Sequence, residues 1–127
     1  YGHETGDEAI KWIAQHINEL FFEAGITARI GGEEFAIFLN QKNLTQARQL
    51  AQKLCRSIDQ YPFYFNGNSI ALSVSAGVSS ALIRDLNMQE LLLQADKRLY
   101  LAKETGRNKV VTHDEKSLLT KAPTAII

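Results

Sequence analysis

The stretch Ala28–Asn40, ARIGGEEFAIFLN, places two glycines and two glutamates between two apolar runs. Gly31 and Gly32 predict a two-residue hairpin turn, because glycine adopts positive φ without a Cβ clash. The strand that follows is apolar on both faces, which is typical of a central and buried strand. Glu33 and Glu34 stand at the mouth of that strand, where two adjacent carboxylates must be solvated, paired or bound to a cation.

The sequence on both sides of this hairpin predicts an α+β fold, with helices packed on a mostly antiparallel sheet. Apolar residues at three- and four-residue spacing predict helices, and short apolar runs between turn residues predict strands. The predicted helices are Asp7–Glu23, Leu44–Gln60 and a third that begins after Asn87. The predicted strands are Ile26–Ile30, Glu34–Asn40, Phe63–Phe65, Ser69–Ser79 and Lys109–Thr112.

The composition excludes several classes of protein. The 127 residues suffice for one domain with a sizeable core. The net charge is zero, so the chain has no general attraction to nucleic acid or to an anionic membrane, and we expect no nucleic-acid partner. No apolar run is long enough to span a membrane. The single cysteine, Cys55, is predicted to be a small buried side chain, and its solitary occurrence fits a reducing compartment.

The two ends of the chain carry further expectations. Tyr1 is not an initiator and the single methionine is Met88, so we expect a fragment or a processed product. The chain opens on a helix with no strand before it. We therefore expect the sheet to lack one central strand, or to fill that place from elsewhere, for example by pairing between copies. Residues 112–127 are predicted to be a C-terminal tail or linker that follows a domain over residues 1–111.

Four ordered segments resemble one known family. GGEEF, Gly31–Phe35, is similar to the signature of the GGDEF family, the diguanylate cyclases, in which Glu is a common third residue. YGHETGDEAI at residues 1–10, LSVSAGVSSA at residues 72–81 and ADKRLYLAKETGRNKVV at residues 95–111 resemble further family segments in the same order. A lone GGEEF would be weak, whereas four segments spanning residues 1–111 are specific.

The resemblance implies a fold and an activity. The family fold is a palm-like α+β domain with a central antiparallel sheet, similar to nucleotide cyclases and some polymerases. Each domain binds one GTP, and two domains face each other to join the nucleotides into cyclic di-GMP with release of pyrophosphate. Two divalent cations, usually magnesium with manganese as an alternative, assist this reaction. The resemblance also implies bacterial signal transduction, a cytoplasmic domain, a homodimer, and an upstream sensory or regulatory domain that can be membrane-anchored.

The resemblance assigns roles to the hairpin residues. At the position of Glu33 the family has a carboxylate that contacts metal and is the proposed base for the attacking 3′-hydroxyl, and Glu34 matches a metal-ligand position. Carboxylate oxygens suit magnesium. Gly31 and Gly32 would also let phosphate approach the backbone. Strand alternation sends the two acids to opposite sides unless the turn twists them, so we expect one to bind metal more directly. The alternative is an ordinary hairpin with solvated acids.

Four further positions match family residues that bind substrate. Asp7 matches the carboxylate that accepts hydrogen bonds from the guanine edge, and His3 matches a position near the nucleotide. Lys103 and Arg107 match positions that contact the terminal phosphates. Each has a plainer alternative: helix-dipole complementarity explains Asp7 at a helix start and the two cations at a helix end, and His3 can be an exposed terminal residue.

The chain departs from the family pattern at two places. Family members carry a metal-binding strand of the form D-x-D-x-F-K-x-x-N-D before the first matched segment, and this chain begins after it. We therefore expect the intact protein to be active and this chain alone to be inactive. Many members also carry an R-x-x-D product-inhibition site, where this chain has Phe22 and Gly25. Feedback through that site is predicted to be absent.

Two other functions remain open at the level of sequence. The chain can be a non-catalytic GGDEF signalling module that binds nucleotide or dimerises. It can also be a purine nucleotide cyclase of another class, which the order of the Y-G-H segment and GGEEF disfavours. The intact acids of the signature favour the enzyme, since degenerate modules usually lose them.

Overall fold

A computed structural model describes residues 2–113 and 124–126 of the chain. The helices of this described part are α1 His3–Phe21, α2 Leu44–Gln60 and α3 Met88–Glu104, and a short 3-10 turn covers Ile83–Asp85. The strands are β1 Gly25–Gly31, β2 Glu34–Leu39, β3 Phe63–Phe65, β4 Asn68–Ile70, β5 Ala76–Ser80, β6 Val110–Val111 and β7 Thr124–Ile126. Within the same residues, no helix is long and apolar enough to cross a membrane.

The central sheet is mostly antiparallel, as the sequence predicted. Its five described strands follow the order β1-β2-β7-β5-β6, and only the short β5–β6 pair is parallel. Successive residues of β2 point to opposite faces. Ile37 and Leu39 join the core formed with α1 and α2, whereas Ala36 packs in the core beneath α3. Helices thus cover both faces of β2, which explains why the strand is apolar from Phe35 to Leu39.

β7 occupies the centre of the sheet. It pairs antiparallel with Ile37–Leu39 of β2 on one side and with Val78–Ser80 of β5 on the other. The central position of the sheet is therefore taken by a C-terminal segment of the same chain, whereas pairing between copies stays a prediction. The boundary at residue 111 stays a prediction, but β7 lies in the segment assigned to the tail and pairs within the domain's own sheet.

The single strand predicted over Ser69–Ser79 is wrong. β4 ends at Ile70, β5 begins at Ala76, and residues 71–75 belong to neither. β4 pairs with β3 in a separate ribbon. β7 reaches along β5 only as far as Val78, so no described strand lies beside residues 71–75 to complete a ladder.

α1 begins one turn earlier than predicted. It starts at His3 after Gly2, which provides no side-chain cap, and the Gly6 N–H donates to the Gly2 carbonyl oxygen at 3.1 Å. Asp7 therefore lies in the second turn. An acid there gains little from the helix dipole, whose effect is confined to the first turn. α2 has the predicted bounds and begins with a reciprocal capping box between Asn43 and Gln46.

α3 is held tightly against β5. A Cβ added to Gly77 would lie 2.0 Å from the Ala95 carbonyl oxygen and 2.2 Å from the Leu99 amide nitrogen, so the two backbones are in direct contact. The buried Arg98 donates from Nη1 to the Val78 carbonyl oxygen at 2.7 Å. These contacts fix α3 relative to β5.

Cys55 is buried in α2, as predicted, and its thiol donates to the Val74 carbonyl oxygen at 3.4 Å. Burial raises the pKa of the Cys55 thiol to about 11, and the negative charge of Asp59 adds to the shift. The thiolate is the nucleophile. We therefore expect the native protein to resist alkylation by iodoacetamide at pH 8 and the urea-unfolded protein to react readily, measured by mass spectrometry. Equal rates in the two states would contradict this.

Candidate active site

The β1–β2 turn presents the two acids. Gly31 has φ 154° and Gly32 has φ 42°, and a Cβ on either would meet no atom within 4 Å. Backbone conformation rather than space therefore favours glycine at both positions. Arg29 donates from Nε to the Gly32 carbonyl oxygen at 2.9 Å, which stiffens the turn from outside. The turn thus holds the backbone that carries Glu33 and Glu34 in a defined conformation.

A cavity of about 250 Å³ lies beside this turn. Glu33 and Glu34 line this cavity, and so do two residues of opposite charge, Lys103 of α3 and Arg107 of the loop that follows α3. The remaining lining is apolar or hydroxyl-bearing, and it includes Ile13 and Ile17 of α1, Phe35 and Ile37 of β2, Leu54 of α2, Leu99 of α3 and residues 73–76. We call this the candidate cavity.

Glu33 and Glu34 both line the candidate cavity, Glu33 from the turn and Glu34 from the first position of β2. Lys103 Nζ lies 3.7 Å from Glu34 Oε1, with the two side chains 30% and 39% exposed. A pair this exposed contributes little to folding stability. Glu33 is exposed and has no ion pair among residues 2–113 and 124–126. Its carboxylate is therefore available to a ligand without breaking an existing contact.

Arg107 reaches the cavity from a tightly turned loop. The Arg107 N–H donates to the Ala102 carbonyl oxygen at 2.8 Å, which closes the end of α3 in the manner of a Schellman motif. Gly106, Arg107 and Asn108 all have positive φ, at 121°, 62° and 48°. Dipole complementarity remains a sufficient reason for a cation near a helix end. It does not explain why both cations line a cavity with two carboxylates.

The other predicted residues lie outside this lining. His3 and Asp7 are exposed on α1 and do not border the candidate cavity. Gly31 and Gly32 do not line it either, and the two-residue turn lies one position later than predicted, because Gly31 ends β1 and the turn is formed by Gly32 and Glu33. Ser73 and Ser75 do line the cavity and were missed. The available signal was the alternation of these two serines with the apolar residues Leu72, Val74 and Ala76 in the sequence.

The carboxylates of Glu33 and Glu34 are possible ligands for a divalent cation. The part of the chain that the structure describes contains no group of three or more His, Cys, Asp or Glu residues able to hold a metal ion. Glu33 and Glu34 nevertheless supply two hard oxygen donors on one cavity. Magnesium is usually held by one or two carboxylates together with substrate phosphates and water, so this pair fits such an ion when a nucleotide is bound.

The Gly25 position of the R-x-x-D site is structurally unsuited to an aspartate. Phe22 follows α1 and is 73% exposed. A Cβ on Gly25 would lie 2.1 Å from the Phe38 carbonyl oxygen, so any larger residue there must push β1 away from β2. An aspartate at Gly25 would therefore disturb the hairpin pairing itself.

Comparisons with known proteins agree with these features. The family model described as "Diguanylate cyclase, GGDEF domain" matches residues 1–109. Diguanylate cyclase A of Treponema denticola is 34% identical over 110 residues, which cover 87% of this chain and 30% of that protein. The chain spans between 16% and 37% of the length of these and other curated relatives that it matches.

Two solved structures have the same fold. The active GGEEF domain of a diguanylate cyclase from Vibrio cholerae aligns with a TM-score of 0.76 at 32% identity, over 87% of this chain and 70% of that chain. The GGDEF domain of DgcB from Caulobacter crescentus, in complex with c-di-GMP, aligns with a TM-score of 0.81 at 25% identity, over 87% of this chain and 66% of that chain.

Proposed function

Because the chain belongs to the GGDEF family of diguanylate cyclases, we propose that the protein joins two molecules of GTP into cyclic di-GMP and releases pyrophosphate. One observation carries the proposal. A single cavity is lined by the carboxylates of Glu33 and Glu34 and by two positively charged side chains. These belong to Lys103 of α3 and Arg107 of the loop after it. That arrangement suits a triphosphate bound with a divalent cation.

Each side chain has a role in this reaction. Lys103 and Arg107 bind the terminal phosphates, Arg107 through paired charge-assisted hydrogen bonds. The 3′-oxygen of one GTP attacks the α-phosphorus of the other, and the bond from that phosphorus to the leaving pyrophosphate breaks. Glu33 accepts the proton of the attacking 3′-hydroxyl. A second transfer of the same kind closes the ring.

Glu33 and Glu34 would also hold a catalytic metal, which the family implies. We propose magnesium or manganese, two ions per active site. When bound, a divalent cation neutralises charge that develops on the phosphates during transfer. The exposed Glu33 is the more accessible ligand, whereas Glu34 must first loosen its contact with Lys103.

Recognition of guanine is assigned to α1. The carboxylate of Asp7 would accept hydrogen bonds from guanine N1–H and the 2-amino group, and His3 would lie near the nucleotide. Both side chains are exposed on α1. Because Asp7 stands beyond the first helical turn, the dipole gives a weaker reason for an acid there.

The reaction also implies partners. Each domain binds one GTP, so two copies must face each other as a homodimer, with cyclic di-GMP as the product. We propose a cytoplasmic location, where GTP is available, and control by an upstream sensory or regulatory domain.

A non-catalytic nucleotide-binding module is the second candidate. It is favoured by the lack of a third metal-binding side chain beside Glu33 and Glu34 within the described residues. Binding of nucleotide without turnover is what this alternative predicts.

A turnover assay together with a GTP-binding measurement distinguishes the cyclase from the non-catalytic module. The full-length protein and this chain are each incubated with GTP and magnesium, and cyclic di-GMP and pyrophosphate are measured by chromatography, with ATP as the control. Formation of these products with GTP but not with ATP supports the cyclase. GTP binding by calorimetry without product from the full-length protein supports the module, and absence of both refutes the two together.

Product feedback gives a further prediction. Cyclic di-GMP at micromolar concentration should not inhibit turnover through the surface near Phe22 and Gly25. Charge-assisted hydrogen bonds contribute about 1.5–3 kcal/mol each, so the loss of two weakens binding by roughly two to four powers of ten. Titration of product into the turnover assay checks this. Inhibition at micromolar product that Phe22→Ala abolishes would contradict it.

A further inference from the structure

The loop after α3 has an unusual backbone. Three consecutive residues, Gly106, Arg107 and Asn108, have positive φ. Glycine and asparagine tolerate this region, whereas it is unfavourable for arginine. Such a conformation persists only when the surrounding contacts hold it, and residues of this kind often lie at ligand sites.

Backbone contacts hold both ends of the loop. The Arg107 N–H is bound to the Ala102 carbonyl oxygen at 2.8 Å, and the Lys109 carbonyl oxygen accepts from the Ala76 N–H at 2.9 Å. Between these two contacts, the Asn108 N–H donates to the Ser75 hydroxyl oxygen at 3.0 Å. Ser75 thus supplies a side-chain contact in the middle of the loop, immediately after Arg107, and it lines the candidate cavity as Arg107 does.

We propose that Ser75 is a positioning residue that keeps Arg107 directed into the candidate cavity for binding of a nucleotide triphosphate. This inference rests on the proposed function of the cavity. Ser75 acts through the peptide between Arg107 and Asn108, because a hydrogen bond to the Asn108 N–H limits rotation of that peptide and so the direction of the arginine side chain.

A purely structural role for Ser75 predicts a different result. The hydrogen bond from the Asn108 N–H to the Ser75 hydroxyl oxygen is exposed, so water can replace the hydroxyl and the fold loses little. Water does not fix the orientation of the peptide. Removal of the hydroxyl should therefore affect ligand affinity more than thermal stability.

The test measures GTP affinity by isothermal titration calorimetry with magnesium, in the full-length protein. Ser75→Ala should weaken binding about threefold to tenfold, the range expected for one hydrogen bond. Ser75→Thr keeps the hydroxyl and should remain within about twofold of the unmodified protein. Ser69→Ala, the same change at an exposed serine of β4, serves as the control and should have no effect. Thermal melting verifies that each variant folds.

A double variant tests whether the effect passes through Arg107. In an Arg107→Ala background, Ser75→Ala should cause less than a twofold further loss, because the side chain that it orients is gone. Two results would overturn the proposal. One is an unchanged GTP affinity in Ser75→Ala, and the other is the same threefold to tenfold loss when Ser75→Ala is added to Arg107→Ala.

Inorganic tripolyphosphate provides a second probe that separates this inference from the proposed function. If the unmodified protein binds tripolyphosphate in a Ser75-dependent way but does not bind GTP, the proposed function fails and the positioning role stands. If tripolyphosphate affinity does not depend on Ser75, the positioning role fails, whatever the result with GTP.

Discussion

Glu33→Gln is expected to lower the turnover of GTP to cyclic di-GMP at least about a hundredfold in the full-length protein. A general base contributes typically 10²–10⁴-fold, and the amide neither accepts the hydroxyl proton nor binds a divalent cation as a carboxylate does. Glu33 is exposed and lies in a turn, so the unfolding free energy should change by no more than about 0.5 kcal/mol. Steady-state turnover and urea unfolding measure the two quantities separately.

Glu19→Gln provides the matched control, because Glu19 is an exposed glutamate of α1 that does not border the candidate cavity. It should leave turnover unchanged. If Glu33→Gln retained the turnover of the unmodified protein, Glu33 would be neither base nor essential metal ligand, and the assignment of the reaction to this turn would be lost.

Gly77→Ala should destabilise the fold by about 3 kcal/mol, at the upper end of what an added methyl group causes in a packed core. The new Cβ would lie 2.0 Å from the Ala95 carbonyl oxygen and 2.2 Å from the Leu99 amide nitrogen. Both are backbone atoms of α3, so no side chain can rotate away and the helix must move. We expect a melting temperature lower by roughly 10 °C.

Gly6→Ala is the opposite case. Gly6 lies within α1 and an added Cβ would meet no atom within 4 Å. Alanine is the better helix former, so this change should stabilise the fold by about 0.5–1 kcal/mol. A Gly77→Ala variant within 1 kcal/mol of the unmodified protein, by urea unfolding, would mean that α3 can shift on β5 without cost.

The local parts of the fold were predictable from sequence because their signals are local. The hairpin needs positive φ at Gly31 and Gly32, and α2 begins at a capping residue, Asn43, followed by one apolar stripe. Each signal lies within a few residues of the element that it specifies. The predicted start of α1 failed because Gly6 weakens a helix without stopping it.

The pairing of distant segments was not predictable. Nothing in Thr124–Ile126 distinguishes a strand from a tail until β2 and β5 are found on either side of it. The candidate cavity was predictable only in part. Glu33, Glu34, Lys103 and Arg107 were identified through their family motifs, whereas Ser75 acts through Asn108, and no periodic pattern connects those two positions.

The position of β7 has a consequence for biosynthesis. The ribosome delivers β2 and β5 before Thr124–Ile126, which pairs between them. From Leu39 to Thr124, translation takes roughly 4 to 17 seconds at about 5–20 residues per second. Over that interval β7 cannot shield the inner edge of β2, nor that of β5 once β5 has emerged, and open strand edges are prone to misassociate with other chains. The emergence of β7, rather than that of the signature turn, therefore sets the moment at which the sheet closes.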